Sequence, residues 1–284
     1  MHSLIATVVL GALSSTVGAN PFGSRTEPDQ PFSTPTFAID TFNVEAFNET
    51  SGIEARDIRG ALPNRATSME HQFQPVTDFD RDGCYYTSAI DPNGNTNPGL
   101  GAVAKCPQDD CRSLNRLQNN NVYSRMRCNN GWCAIMYEYY FEKDQAICGS
   151  FLGGHRHDWE NIVVFVQNNQ VKRVSPSCHG NYDKPSNSPH KQGERVKMVY
   201  HKDGAGTHCF RTANSGDDNI ENHTGQWFIG SLVGWTGWPS TGLRDKVMNT
   251  WSGGIGPKLD TEFADCLRRA AGNSVPGFNP NIDG

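Results

Sequence analysis

The sequence contains no cluster of lysine and arginine. Its 25 basic and 30 acidic side chains leave a formal charge of −5 and a pI near 6.0. No nucleic-acid partner is therefore expected, because electrostatic binding of a polyanion needs a basic face. Neutral or metal-chelating ligands are easier to accommodate. Long apolar runs are also lacking. The one run, residues 4–13, is short of the roughly 20 apolar residues that a membrane span needs. Neither an H-E-x-x-H pattern nor a G-x-S-x-G elbow is present, which removes the commonest metalloprotease and serine-hydrolase signatures. No internal repeat is visible.

The apolar run at 4–13, followed by the small residues Val17-Gly18-Ala19, reads as a signal peptide over residues 1–19, although its first segment carries only His2 as a basic group. A secreted, monomeric product beginning near Asn20 is expected. Residues 20–72 are rich in Pro, Ser, Thr, Asn and Glu without a sustained period, the pattern of a flexible leader or propeptide. The folded domain is expected over 73–272, with a tail at 273–284.

The nine cysteines are Cys84, Cys106, Cys111, Cys128, Cys133, Cys148, Cys178, Cys209 and Cys266. In an exported chain most should form disulfides. Cys84 is expected to bridge to Cys106 or Cys111, closing a loop worth about 3 kcal/mol. Cys128 and Cys133 should close the hairpin turn Asn129-Asn130-Gly131-Trp132. Nine is odd, and Cys266, on an expected helix, is the candidate free thiol. Asn48 and Asn222 begin N-x-T sequons, so both are candidate glycosylation sites.

Alternation in residues 134–143 reads as an aromatic-rich strand with Ile135, Tyr137, Tyr139 and Phe141 on one face and Met136, Glu138 and Tyr140 on the other. Further strands are expected over 158–166, 171–175, 196–200, 204–211 and 227–229. Helices are expected only late. Leu243, Val247 and Trp251 recur after a Ser240 or Thr241 cap, and Phe263 and Leu267 follow an Asp260 cap. Strands in series with late helices imply a mainly β protein, a two-sheet sandwich with flanking helices. The turn Asp78-Phe79-Asp80-Arg81-Asp82-Gly83 opens like a calcium loop, but its twelfth position is Ala89 rather than Glu. An acidic turn ahead of Cys84 is the plainer reading.

The chemistry concentrates in Gly153-Gly154-His155-Arg156-His157-Asp158-Trp159-Glu160, which runs into the apolar stretch 162–166. In a strand Asp158 and Glu160 share a face about 7 Å apart, where two carboxylates repel unless a proton or a cation sits between them. Asp144 ends the preceding strand, and antiparallel pairing would bring it beside Asp158. With His155 from the glycine loop the set is oxygen-rich, suited to a hard divalent cation such as Mg²⁺ or Ca²⁺. His157 and Arg156 are candidate ligand contacts. His157 could equally orient a partner of the ion or pair with Trp159, and Arg156 could salt-bridge a carboxylate. A surface loop with a chance mixture of charges would leave the same pattern. A secreted hydrolase using a metal-activated water is the enzymatic alternative.

The heptapeptide Gly154-His155-Arg156-His157-Asp158-Trp159-Glu160, with Ala134-Ile135-Met136-Tyr137 upstream, resembles the motif of the necrosis- and ethylene-inducing-like proteins, or NLPs. The resemblance spans residues 73–272. It implies an actinoporin-like β-sandwich and a cytolysin rather than an enzyme. Such a protein binds the glycosylated inositol-phosphoceramide sphingolipids of plant plasma membranes through a divalent cation and permeabilises the membrane. It further implies that Asp144, His155, Asp158 and Glu160 hold the cation, that His208 lies beside the bound sugar, and that plant immune receptors recognise residues 134–144. Here Glu138-Tyr139-Tyr140-Phe141-Glu142-Lys143-Asp144 replaces the commoner Ala-Trp-Tyr-Phe-Pro-Lys-Asp. The longer loop with Cys148 and the acidic 78–82 turn resemble the cysteine-rich second type. A non-cytotoxic member with another role in the producer carries the same motif.

Overall fold

The computed structural model describes residues 58–283, apart from Ala104, Ala146, Phe151, Leu152, Ala205, Gly206, Ser252 and Gly253. The chain divides into units 1–47 and 48–284, and all the described residues belong to the second. The expected signal peptide, most of the leader and the sequon at Asn48 lie outside the described residues.

In chain order the strands are β1 (Val76–Phe79), β2 (Val122–Asn129), β3 (Trp132–Asp144), β4 (His155–Gln167), β5 (Gln170–Pro176), β6 (Lys191–Gln192), β7 (Arg195–Lys202), β8 (His208–Thr212) and β9 (Leu232–Gly234). The helices are α1 (Ser68–Phe73), α2 (Leu114–Gln118), α3 (Thr241–Thr250) and α4 (Phe263–Ala271). One sheet runs β5-β4-β3-β2-β9; the other runs β1-β7-β6 with β8 also paired to β7.

The alternation read from the sequence sorts β3 between two packed layers. Ile135, Tyr137, Tyr139 and Phe141 face the second sheet, meeting Val196, Met198, Tyr200 and Phe210. Met136 and Tyr140 face outward, packed with Val247 of α3 and Phe263, Cys266 and Leu267 of α4. The result is the expected sandwich with helices outside it. Each fully buried large apolar side chain contributes roughly 1.5–3 kcal/mol. The β2–β3 hairpin turns through Asn130 and Gly131, both at positive φ (49° and 80°), as a two-residue turn between twisted strands requires. No helix among the described residues is long and apolar enough to cross a membrane.

Several local expectations are corrected. The fold begins before residue 73. Leu62 is buried, Arg65 bridges to Val233, and Thr67 and Glu70 form a reciprocal capping box on α1. The segment 273–283 is docked rather than trailing. Val275 is buried, Trp132 Nε1–H donates to the Pro276 carbonyl, and Arg127 pairs with Asp283 at 2.6 Å. The strand expected at 227–229 shrinks to one bridge from Phe228 to Thr77, and β9 follows it. Ser240 caps α3 through the Leu243 N–H, whereas Glu262, not Asp260, occupies the cap position of α4.

Cys84 bridges to Cys111, and Cys128 to Cys133. Cys106 pairs with Cys148 instead of Cys84, and Cys178 with Cys209. Cys266 is free and buried. Asn222 is not available as a glycan acceptor in the fold. It is only 5 % exposed, and its amide donates to Asp78 Oδ1 at 2.9 Å and to the Gln226 carbonyl at 2.8 Å. Asp78 also accepts the backbone N–H groups of Glu221 and Asn222. That carboxylate is thus consumed in anchoring a loop, which leaves the 78–82 run without its first calcium-loop position.

Candidate functional site

The site forms where β3 ends and β4 begins. Antiparallel pairing sets Asp144 opposite His155, Phe141 opposite Asp158 and Tyr139 opposite Glu160. Asp158 and Glu160 therefore share the inter-sheet face, while Trp159 packs on the helix side. Gly154 makes this junction possible. Its φ is +113°, and a Cβ there would stand 2.7 Å from the Asp144 carbonyl oxygen. Only glycine accepts both conditions.

β5 stops early, pairing with β4 only from Ile162 onward. The first half of β4 would be an open sheet edge. The turn after β5 closes it: Ser177 N–H donates to the Asn161 carbonyl at 2.8 Å, and Asn161 N–H donates to Ser177 Oγ at 2.7 Å. Beneath this turn lies a cavity of about 180 Å³ whose walls include His155, Asp158, Glu160, Ser177, Thr207 and Lys258.

Three carboxylates are buried here: Asp144 (2 % exposed), Asp158 (8 %) and Glu160 (6 %). Each is held by its own neighbour. Tyr200 O–H donates to Asp158 Oδ2 at 3.2 Å, and Ser177 O–H donates to Glu160 Oε2. His208 donates to Asp144 twice, from its backbone N–H at 2.7 Å and from Nδ1–H at 2.8 Å. Burial, then the charge of Asp144, pushes the Asp158 carboxyl up to about 7 against the pull of His155 and Tyr200. Burial and the Asp158 charge raise Glu160 well above the usual range, against its bond from Ser177. Burial alone would lower His208. The bonds to Asp144 and Asp82 outweigh it and raise the imidazole to about 9. His208 is thus a charged clamp with both ring nitrogens donating, Nε2–H reaching Asp82 at 3.3 Å.

His155 Nδ1–H donates to the His157 carbonyl at 2.6 Å. That bond assigns the proton to Nδ1 and leaves Nε2 as the basic nitrogen, the arrangement that metal-binding histidines use. A concentration of buried carboxylate with one basic imidazole and one compensating cation fits an added hard cation.

The other sequence candidates are placed differently. His157, at φ +59°, is 2.7 Å from the Tyr140 hydroxyl and edges against Trp251 on the helix side. Arg156 donates to the Pro98 carbonyl at 3.0 Å rather than to a carboxylate. Neither lines the cavity. His208 is bound to Asp144, and neither residue lines the cavity. Sequence reasoning missed Ser177 and Tyr200, which no local pattern marks. Asp82 stood in a noted acidic turn, but its partner His208 is 126 residues away.

A different set converges more tightly. Among the described residues, ligand atoms of Cys178, His179, Asp203 and Cys209 lie within 4.8 Å of one another, whereas no three of Asp144, His155, Asp158 and Glu160 do. Cys178 and Cys209 are joined in a disulfide, so neither offers a thiolate, and that group is not a metal site in this state.

The family model described as Necrosis inducing protein (NPP1) matches residues 67–270. "NLP effector protein 10" of Phytophthora capsici is 36% identical over 143 residues, covering 48% of this chain and 58% of the relative. "Necrosis-inducing protein NPP1" of Phytophthora nicotianae is 37% identical over 125 residues, covering 42% and 50%. The chain thus spans about half to three-fifths of the length of these curated relatives. Among solved structures, NLPPya in complex with mannosamine matches with TM-score 0.61 and 28% identity over 75% of this chain and 96% of that one. The structure described as non-toxic HaNLP3 matches with TM-score 0.61 and 26% identity over the same shares. The β-sandwich, the buried acidic recess at its rim and the match across 67–270 together place this chain in the necrosis-inducing protein (NPP1) family.

Proposed function

We propose that this chain is a secreted, non-enzymatic, necrosis-inducing cytolysin. It recognises the sugar head group of a plant plasma-membrane sphingolipid of the glycosylated inositol-phosphoceramide class, and binding leads to membrane permeabilisation. The observation that carries the reading is a cavity walled by His155 and the buried carboxylates Asp158 and Glu160, with Asp144, also buried, opposite His155 in the β3–β4 ladder. Buried carboxylates repel one another and favour a cation among them. Asp144, His155, Asp158 and Glu160 would hold a divalent ion, Mg²⁺ or Ca²⁺ by their oxygen-rich donor set. When bound, that ion supplies an electrophilic centre for sugar hydroxyls. The protein's own groups do the rest. His208 fixes Asp144, Ser177 and Tyr200 orient Glu160 and Asp158, and the turn at 177–182 forms one wall of the cavity. The complexes of NLPPya with mannosamine and with glucosamine support a sugar-sized ligand.

The test is dye release from vesicles containing plant sphingolipid, with and without EDTA. Asp158→Ala should fold yet release no dye and cause no leaf necrosis. Undiminished lysis by the unaltered protein under strict chelation would refute the cation's part.

A second reading is favoured by one observation, the equally close match to the non-toxic HaNLP3 structure. In it the same recess binds the sugar without membrane damage, and binding to vesicles without leakage would identify it. Residues 134–144 bear on immune recognition. They form the middle of the five-stranded sheet, flanked by β2 and β4 and almost wholly buried. A plant receptor would therefore read them only after the domain is cleaved or unfolded.

A further inference from the structure

Ser177 and His208 belong to opposite halves of the sandwich. Ser177 follows β5 at the edge of the five-stranded sheet, and His208 opens β8 of the other. Each holds one of the buried carboxylates, Ser177 through Oγ to Glu160 and His208 through its backbone and Nδ1 to Asp144. The residue immediately after each of them is a cysteine, and these two cysteines, Cys178 and Cys209, are bonded to each other. Their Cα atoms are 4.9 Å apart, about half the ~10 Å at which two stacked sheets normally lie. A second rung crosses the same gap, with Thr207 Oγ1 3.3 Å from His179 Nδ1, and both of these residues line the cavity.

We infer that the Cys178–Cys209 disulfide is a positioning clip for the acidic recess, drawing the two sheets together there and setting the separation of Glu160 and Asp144. The turn that carries Ser177 is short and internally closed, with Cys178 and Asn181 exchanging backbone hydrogen bonds at 2.9 and 3.0 Å. It therefore moves as a unit, and the disulfide fixes that unit to β8. Without the bond the turn can tilt off the β4 edge, taking Ser177 from Glu160 while His208 relaxes with β8. The other bridges do not have this placement. Cys128–Cys133 sits across the β2–β3 turn, at the far end of β3 from Asp144, and is the natural control. The inference rests on the proposed cation site for its consequence, but not for its geometry.

The experiment compares full-length C178S/C209S, C128S/C133S and unaltered protein by amide hydrogen exchange and by calorimetric titration with Ca²⁺ and Mg²⁺. In C178S/C209S the His208 and Ser177 amides should exchange about tenfold faster or more, while Ile135 and Val164 in the sheet centre keep their protection. Cation affinity should fall about tenfold, equivalent to 1.4 kcal/mol. C128S/C133S should match the unaltered protein in both readings. Unchanged protection at His208 and Ser177 overturns the clip, and so does a loss spread evenly over the core, which would mark a purely global effect. If C178S/C209S does not fold, C178A/C209V fills the same space without the bond and must give the same local loss. Absence of cation binding by the unaltered protein would refute the proposed function alone, leaving the exchange data to decide the clip.

Discussion

Glu138 offers a quantitative check of how this interior treats charge. It is completely buried on the helix-facing side of β3. Its Oε1 accepts the Lys258 N–H at 2.8 Å, and its Oε2 has no protein partner among the described residues. Burial lifts its carboxyl from 4.5 to about 8, against the opposing pull of the Lys258 N–H and ammonium. Because the folded value exceeds the unfolded one, the stability linked to this proton is complete below about 4.5 and is lost as pH rises through about 8. The loss amounts to on the order of 3–5 kcal/mol by pH 9. Glu138→Gln keeps the acceptor for Lys258 and removes the titration. The variant should therefore equal the unaltered protein near pH 5 and exceed it by about 6–20 °C in Tm near pH 9 for a domain of this size. The assay is thermal denaturation followed by circular dichroism in EDTA, at half-unit pH steps from 5 to 9. Parallel curves for the two proteins would show that Glu138 does not carry the proton, and the argument from burial would fail with it.

Other outcomes follow from the same packing. Gly154→Ala should cost several kcal/mol, on the order of 2–4, and weaken cation binding together with stability, because the new methyl meets the Asp144 carbonyl. A calorimetric titration that matches the unaltered protein would contradict this. Arg116→Met should destabilise by about 3–5 kcal/mol, since Arg116 and Glu142, 3% and 1% exposed, pair at 2.5 Å; chemical denaturation measures it. Asn222 should carry no glycan when the protein is made in a eukaryotic host, which intact-mass and peptide mapping would show. Asn222→Gln should still lower stability by about 1–3 kcal/mol, because Asp78 loses a buried donor. Asp144→Asn should loosen the His208 clamp, and exchange at the His208 amide should rise.

What the sequence disclosed was local and periodic. The face assignment of β3, the meeting of Asp144 with the start of β4 and the hairpin disulfide all depend on neighbours within one or two strands, which a period of two reveals, and the free Cys266 follows from the odd cysteine count and its place on a helix. The partners of Asp78 and Asp82 depend on chain segments brought together only by the tertiary fold, and no spacing rule reaches across 144 residues to Asn222. The sequon at Asn222 is a local tripeptide, whereas its burial is not local. The early start of the domain has a local signal. Thr67-Ser68-Met69-Glu70 is a capping-box pattern, outweighed by the polar composition around it. His157 and Arg156 stood in the right heptapeptide, yet the positive φ of His157 turns the strand locally, and both find partners outside the cavity.

The truncation of β5 has a wider meaning. A bare strand margin is an invitation for another molecule to add itself to the sheet. Here the same shortfall is both hazard and opportunity. One missing strand's width becomes the hollow that can admit a sugar, and the folded-over turn that shields the margin from self-association also serves as its lintel. Lengthening β5 to seal the margin would fill the hollow, so protection of the sheet edge and the recognition proposed for this site are tied to one architectural choice.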